Sequence, residues 1–164
     1  MFDSIADGVG VRAVAFISGC LHKCDECHNP DTHDFDYGKP FDAKAQRSII
    51  EYCKTEYVNG LTFSGGDPMY SAKELLFFAK KFKAECPNKD IWIYSGFTYE
   101  EILKNANMKR LLKECDVLVD GLYDKTQKDK TLSFKGSYNQ RIIDIKLSLA
   151  SKSAIEWKHT WGEH

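Results

Sequence analysis

Three cysteines fall within eight residues, Cys20-Leu21-His22-Lys23-Cys24-Asp25-Glu26-Cys27, and His28-Asn29-Pro30 follows at once. Thiolates so close together can fold around one soft centre, which suits zinc or an iron–sulfur cluster better than a hard, oxygen-seeking cation. A 4Fe-4S cluster is ordinarily closed by four thiolates, so three leave one iron with an open position that a substrate can take. The second reading is a structural zinc site in which His28 supplies the last ligand, because Cys3His is an ordinary tetrahedral set. Zinc sites usually draw their ligands as two separated pairs, and the sequence has no second CxxC or HxxxH hook. Spacing alone leaves both open. A disulfide framework fits less well, since no apolar stretch with a cleavage site at the N-terminus marks the chain for secretion.

A loop that binds a ligand needs elements that end at it. The apolar, β-branched and aromatic run at residues 12–18 reads as a buried strand, so the cysteine loop follows a strand's carboxyl end, where parallel α/β proteins bind their ligands. After an irregular, Asp- and Asn-rich stretch, Asp42 caps a helix running to about residue 57, with Ala45, Ile49, Tyr52 and Cys53 on one face. A second strand at 60–63 ends in Ser64-Gly65-Gly66-Asp67-Pro68. Ser71 caps the next helix, which carries Leu75, Leu76, Phe78, Ala79 and Phe82. A third strand at 90–94 ends at Ser95-Gly96, and helical pieces follow at 99–104 and 108–114. A fourth strand at 115–119 ends at Asp120-Gly121. Residues 123–130 are charged and exposed, and a last strand lies at 142–145.

Strands alternating with helices predict an α/β protein with a mainly parallel sheet. A closed eight-unit barrel takes about 250 residues. The 164 residues here predict an incomplete, open-sided (β/α) barrel of five to six mainly parallel strands, a single domain over 1–164, with the strand ends gathered at one rim.

Composition narrows the function classes. With 23 basic and 24 acidic residues, a net charge of −1 and no clustering by sign, the chain lacks the basic field that nucleic acid or an anionic membrane requires. No apolar run approaches the roughly 20 residues that span a bilayer, which predicts a soluble, cytoplasmic protein. Cys53, Cys86 and Cys115 lie apart in periodic or strand-like segments and read as small core residues.

With these pieces in place the sequence resembles the radical S-adenosylmethionine superfamily: CxxxCxxC after the first strand and a glycine-glycine-acid turn after the second. Within it, Asp7-Gly8-x-Gly10-x-Arg12, Gly19-Cys20-x-His22-x-Cys24, Cys27-His28-Asn29, Ser64-Gly65-Gly66-Asp67-Pro68, Val119-Asp120-Gly121 and Gly136-Ser137-x-Asn139-Gln140 resemble the activating proteins of anaerobic (class III) ribonucleoside-triphosphate reductases. The resemblance implies that Cys20, Cys24 and Cys27 ligate a 4Fe-4S cluster whose fourth iron is chelated by the methionine end of S-adenosyl-L-methionine. It further implies that Gly65, Gly66 and Asp67 receive the methionine amine, that the backbone of Glu26, Cys27 and His28 runs along the adenine, and that Tyr94 and Ser95 lie near the ribose. Relatives commonly carry small residues such as Pro-Gly where this chain has Asp25-Glu26. Two carboxylates beside an anionic cluster make its reduction harder unless they turn to solvent or to basic partners.

The implied reaction takes one electron from a donor such as a flavodoxin-type protein, cleaves the sulfonium to a 5′-deoxyadenosyl radical, and abstracts hydrogen from a glycine of the reductase. The exposed 123–130 segment and the 136–140 block are candidate docking surfaces for that protein substrate. Two rivals remain at this stage: a small radical enzyme acting on a free metabolite, and a zinc-containing interaction module. The former's relatives lack the Asn139-Gln140 block. The latter leaves the Gly-Gly-Asp turn and Asp120 unexplained.

Overall fold

The computed structural model describes residues 1–158. Strands β1 (Val11–Ile17), β2 (Val58–Gly65), β3 (Asp90–Ser95), β4 (Val117–Asp120) and β5 (Arg141–Asp144) form one sheet in chain order. Neighbours from β1 to β4 are parallel, whereas β5 runs antiparallel to β4. Helices α1 (Ala43–Cys53), α2 (Ala72–Glu85), α3 (Tyr99–Lys104) and α4 (Ala106–Leu112) fill the crossovers, and α5 (Ile145–Ser151) follows β5. The sheet is not closed, and β1 and β5 are its edges. This is the open, incomplete barrel that the length predicts.

Side chains alternate across the strands with a period of two, and each face has its own core. Ile91 and Ile93 join Phe78, Phe82, Ile102 and Leu111 in the layer shared with the helices. Each such side chain contributes about 1.5–3 kcal/mol by leaving water. Cys53, Cys86 and Cys115 are buried there too, and burial pushes the Cys53 thiol up to about 12. These three are core residues, as their periodicity predicts.

On the opposite face Trp92 packs with Val119, Tyr94, Phe134 and Trp157. Arg12 is fully buried at the amino ends of the strands on this side. Its Nε donates to Thr62 Oγ1 at 2.8 Å, its Nη2 donates to Leu61 O at 2.9 Å and to the Asp90 carboxylate, and its guanidinium lies 5.5 Å from the Trp92 ring centre. The plug closes the amino end of the open barrel and leaves the carboxyl end free for a ligand.

Local chemistry departs from the sequence expectations at four places. First, α1 stops at Cys53 rather than near residue 57, because after the last i→i−4 bond, Lys54 N–H to Ile50 O, Thr55 N–H tightens to Tyr52 O and the Thr55 hydroxyl donates to the same carbonyl. Its predicted cap holds: the Asp42 carboxylate accepts from Ala45 N–H at 2.8 Å. Second, Ser71 makes no side-chain cap, since α2 continues directly from a tight turn at Pro68–Ser71 that is capped by Asp67. Third, β4 starts at Val117 rather than at residue 115, where Cys115 N–H turns back to Leu112 O at 3.0 Å; the antiparallel β5 stays within the mainly parallel expectation, because the chain returns from β4 without the crossover helix that a parallel neighbour would need. Fourth, Ile145 opens α5 instead of ending β5, with the Asp144 side chain accepting from Leu147 N–H at 2.8 Å.

Candidate active site

The cysteine loop is stitched in at its root. Gly19 N–H and Cys20 N–H donate to Thr32 O and His33 O at 2.8 and 3.2 Å, while Gly66 N–H and Asp67 N–H donate to Ile17 O and Gly19 O at 2.8 and 3.0 Å. The Gly-Gly-Asp turn after β2 therefore lies directly against the end of β1. Gly65 has φ +109°, and a Cβ there would stand 2.6 Å from Ile17 N and O. A Cβ on Gly66 would stand 2.5 Å from Thr32 O and 2.8 Å from Gly19 O. Only glycine lets the backbones approach this closely.

Cys20, Cys24 and Cys27 are all free thiols, partly exposed, and all line one open cavity of about 500 Å³ at the carboxyl ends of the strands. The volume is in the range of ligand sites. Gly65, Gly66, Tyr94, Ser95 and His28 line the same cavity, so nearly all the residues singled out in the sequence converge. Two do not face it. Glu26 is exposed, outside the lining, with φ 56°. Asp67 is 1% exposed and turned into the protein.

The donor set fits the cluster. Three soft thiols stand together on a single loop, with His22, His28 and His33 on the same cavity wall and the other cysteines sequestered behind the sheet. Burial pushes the Cys20 thiol up to about 11, with Asp67 and the other two thiols adding to the rise, and burial also raises Cys24. Free of metal Cys20 and Cys24 are held in the thiol form at neutral pH, so loading releases protons. Among the described residues no three His, Cys, Asp or Glu side chains converge on one metal-ion position. A four-iron cluster, in which each thiolate meets its own iron, asks for wider spacing than the tetrahedron around a zinc.

The Asp67 carboxylate accepts from Met69 N–H at 3.0 Å, Gly96 N–H at 2.9 Å and Ser95 Oγ at 2.9 Å, and pairs with His22 Nε2 at 2.9 Å. The Ser95 hydroxyl in turn accepts from Phe97 N–H at 3.1 Å. Tyr94 donates its hydroxyl to Phe134 O at 2.9 Å, and burial raises its pKa. Asp25 pairs with Lys125 at 3.2 Å and is largely solvent-exposed. The two acids of the loop thus point to a basic partner and to water, the arrangement that spares the cluster their charge.

The far wall comes from the segment between β4 and β5. Gln140 Oε1 accepts from Gly136 N–H at 2.8 Å and Ser137 N–H at 3.2 Å, its Nε2 donates to Gly121 O at 2.9 Å, and Asn139 Nδ2 donates to Leu122 O at 2.8 Å. The 136–140 block is therefore a clip that holds Phe134 and Lys135 over the cavity. Asp120, 1% exposed, anchors this wall by accepting from Tyr99 N–H at 2.7 Å and from Arg141 Nε and Nη2 at 3.0 and 2.5 Å. Sequence reasoning missed the wall residues Tyr123, Leu132, Phe134 and Lys135. The signal lay in the helix-free stretch after Gly121, which has to lie across the sheet to reach β5. His22 and Asp67 fall in separate sequence motifs 45 residues apart, and no spacing signal joins them.

No helix among the described residues is long and apolar enough to cross a membrane. The family described as a 4Fe-4S single cluster domain matches residues 6–143. The chain is 38% identical over 142 residues to the anaerobic ribonucleoside-triphosphate reductase-activating protein of Pasteurella multocida, covering 84% of this chain and 90% of that one. It is 38% identical to the protein of the same name from Haemophilus influenzae, covering 87% and 94%, and 36% identical to that of Enterobacteria phage T4, covering 93% and 92%. The metabolite-enzyme and zinc-module readings are not favoured by these matches. A cavity lined by three thiols beside a Gly-Gly turn, on an open α/β sheet matched along nearly its whole length, makes the chain a member of the 4Fe-4S single-cluster family and, within it, of the anaerobic ribonucleoside-triphosphate reductase-activating proteins.

Proposed function

We infer that this protein is the activating enzyme of an anaerobic ribonucleoside-triphosphate reductase, using a 4Fe-4S cluster and S-adenosyl-L-methionine to generate a glycyl radical on the reductase. The observation that carries the reading is the convergence of three free thiols of one loop with the Gly65-Gly66 turn on one open cavity. Cys20, Cys24 and Cys27 would hold the cluster. When bound, cluster and sulfonium supply one-electron reductive cleavage and, through it, abstraction of a hydrogen atom.

The chain's own residues supply the positioning. The peptide groups of Ser64, Gly65 and Gly66 line the cavity and suit the ammonium of the methionine end, which needs carbonyl acceptors. His28 and Tyr123, with ring centres 5.1 Å apart and planes tilted by 58°, offer an aromatic corner on the adenine side, and Tyr94 closes the floor. Phe134 and Leu132 keep that wall apolar and exclude water from the reacting atoms. The open mouth admits a protein loop that bears the target glycine. We assign the electron donor to a flavodoxin-type protein and the compartment to the cytoplasm, which suits a chain whose described cysteines are all unpaired.

The test is anaerobic mixing of reduced protein, S-adenosylmethionine and reductase. A doublet glycyl radical signal should appear together with 5′-deoxyadenosine, and deuterium placed on the target glycine should pass into that product. Turnover of a small metabolite with no radical on the reductase would reject the reading.

A further inference from the structure

Resting on that reading, we propose that His22, Asp67 and Ser95 form a clamp that presets the cysteine loop, so that the acid of the Gly-Gly-Asp turn acts on the loop rather than on the ligand. The Asp67 carboxylate is buried and does not line the cavity. Each of its oxygens is engaged by the protein: Met69 N–H and Ser95 Oγ at one, His22 Nε2, Gly96 N–H and Ser95 Oγ at the other. These groups come from the cysteine loop, the turn after β2 and the end of β3. A fully satisfied buried carboxylate is both strong and directional, so it fixes the three segments relative to one another.

The far partner is built to receive it. The His22 ring lies edge-on to Phe97, with ring centres 4.6 Å apart, and 5.6 Å from Tyr70. Gly96 forms the floor of this slot, where a Cβ would stand 2.6 Å from His22 Cδ2. His22 sits between Cys20 and Cys24, and its carbonyl lies 3.9 Å from Cys20 Sγ. Holding the ring therefore holds the backbone that sets the separation of two cluster thiols. Asp67 and His22 are positioning residues, and the thiols are arranged before metal arrives.

The experiment compares wild type with His22→Gln, His22→Phe, Asp67→Asn and the His22→Phe/Asp67→Asn double variant. Amide exchange over residues 20–24 is followed in cluster-free protein. The reconstituted protein is examined for its paramagnetic resonance spectrum, cluster midpoint potential and affinity for S-adenosylmethionine. Loss of the hydrogen bond to Asp67 in His22→Phe should speed exchange at the loop about tenfold and shift the cluster spectrum and potential, while the affinity for S-adenosylmethionine stays within about twofold. His22→Gln can still donate to Asp67 and should restore the wild-type spectrum. The double variant should shift the spectrum no further than the larger single change, because both remove one clamp. A His22→Phe protein with wild-type exchange and spectrum overturns the proposal, as does one that loses thermal stability alone. So does an Asp67→Asn protein that weakens S-adenosylmethionine binding by about tenfold or more with an unchanged spectrum, because the carboxylate would then be a ligand contact. The exchange measurement needs no cluster, so it decides on the clamp even if wild type assembles none, and failure of the clamp stays distinct from failure of the activating-enzyme reading.

Discussion

Cysteine identity in this protein divides by environment rather than by residue type. Cys20, Cys24 and Cys27 are half-exposed on one loop, whereas Cys53, Cys86 and Cys115 are buried behind the sheet, with Cys53 Sγ 3.7 Å from Gly60 O and Cys86 Sγ 3.8 Å from Ile50 O. Replacing any of the first three with Ala should therefore abolish iron retention after anaerobic reconstitution, and replacing any of the second three should leave it intact at a cost in stability of about 1 kcal/mol. Iron and sulfide analysis beside a urea titration separates the two classes. Glu26 supplies a second residue-level test. Its φ of 56° lies in the left-handed region, where a side chain costs about 1–2 kcal/mol that glycine avoids. Glu26→Gly should raise the unfolding free energy by up to about 1 kcal/mol once the extra freedom of the unfolded chain is subtracted. A fall in the urea midpoint would contradict this. The resemblance to the family implies small residues where this chain has Asp25-Glu26, but the sequence carries no sign that position 26 is left-handed, because φ depends on how the loop is stitched to residues 32–33.

At the level of elements, what was legible were the runs whose periodicity decides burial: β1 through β4, α1, α2, and the short α3 with its capping box of Thr98 and Glu101. What was not legible were ends and directions. The stop of α1 is set by the Thr55 hydroxyl, the start of α2 by Asp67, and the return from β4 into β5 is held by the side-chain amides of Asn139 and Gln140 on the Leu122 and Gly121 carbonyls. Each is a long-range or side-chain choice with no periodic trace. The ion-pair set that ties β5 to α3 gives a pH test. Arg141 bonds Asp120 and reaches Glu100 at 2.7 Å, and that hydrogen bond holds the Glu100 carboxyl below its usual range. The folded state therefore favours the ionised form of Glu100. The resulting stability is present above its unfolded pKa of about 4.3 and is lost as pH falls through the lower folded value. Because both partners are well exposed, the gain is under about 1 kcal/mol. Glu100→Gln should be slightly less stable than wild type at neutral pH, and the gap should close below about pH 4. Urea midpoints across that range check the sign: a gap that widened on acidification would be the wrong way round.

The whole molecule is asymmetric in a way that follows from its length. Among the described residues the helices cover one face of the sheet, and the other face is covered by the Trp92 cluster, the Arg12 plug, residues 7–9 ahead of β1 and the clipped 132–140 segment, which leaves the carboxyl ends of the strands open. A closed barrel of about 250 residues would enclose that space; among the described residues the sheet ends at β1 and β5, and the space stays open. The partner must then complete the site from the open side. Around the mouth the 123–130 segment is mostly exposed and Tyr138 is 58% exposed, while Gln140 is bound inside the wall and is no contact surface. A protein interface of ordinary size buries roughly 800 Å² per partner, enough to span the mouth and both of its exposed rims. When the reductase is added to cluster-loaded protein, amide exchange should slow at residues 24–29 and 122–139, and it should be unchanged in α1 and α2. Protection confined to the helical face would place the reductase on the wrong side of the sheet for a glycine to reach the thiol-lined cavity, and would reject the protein-substrate reading at the scale of the whole molecule.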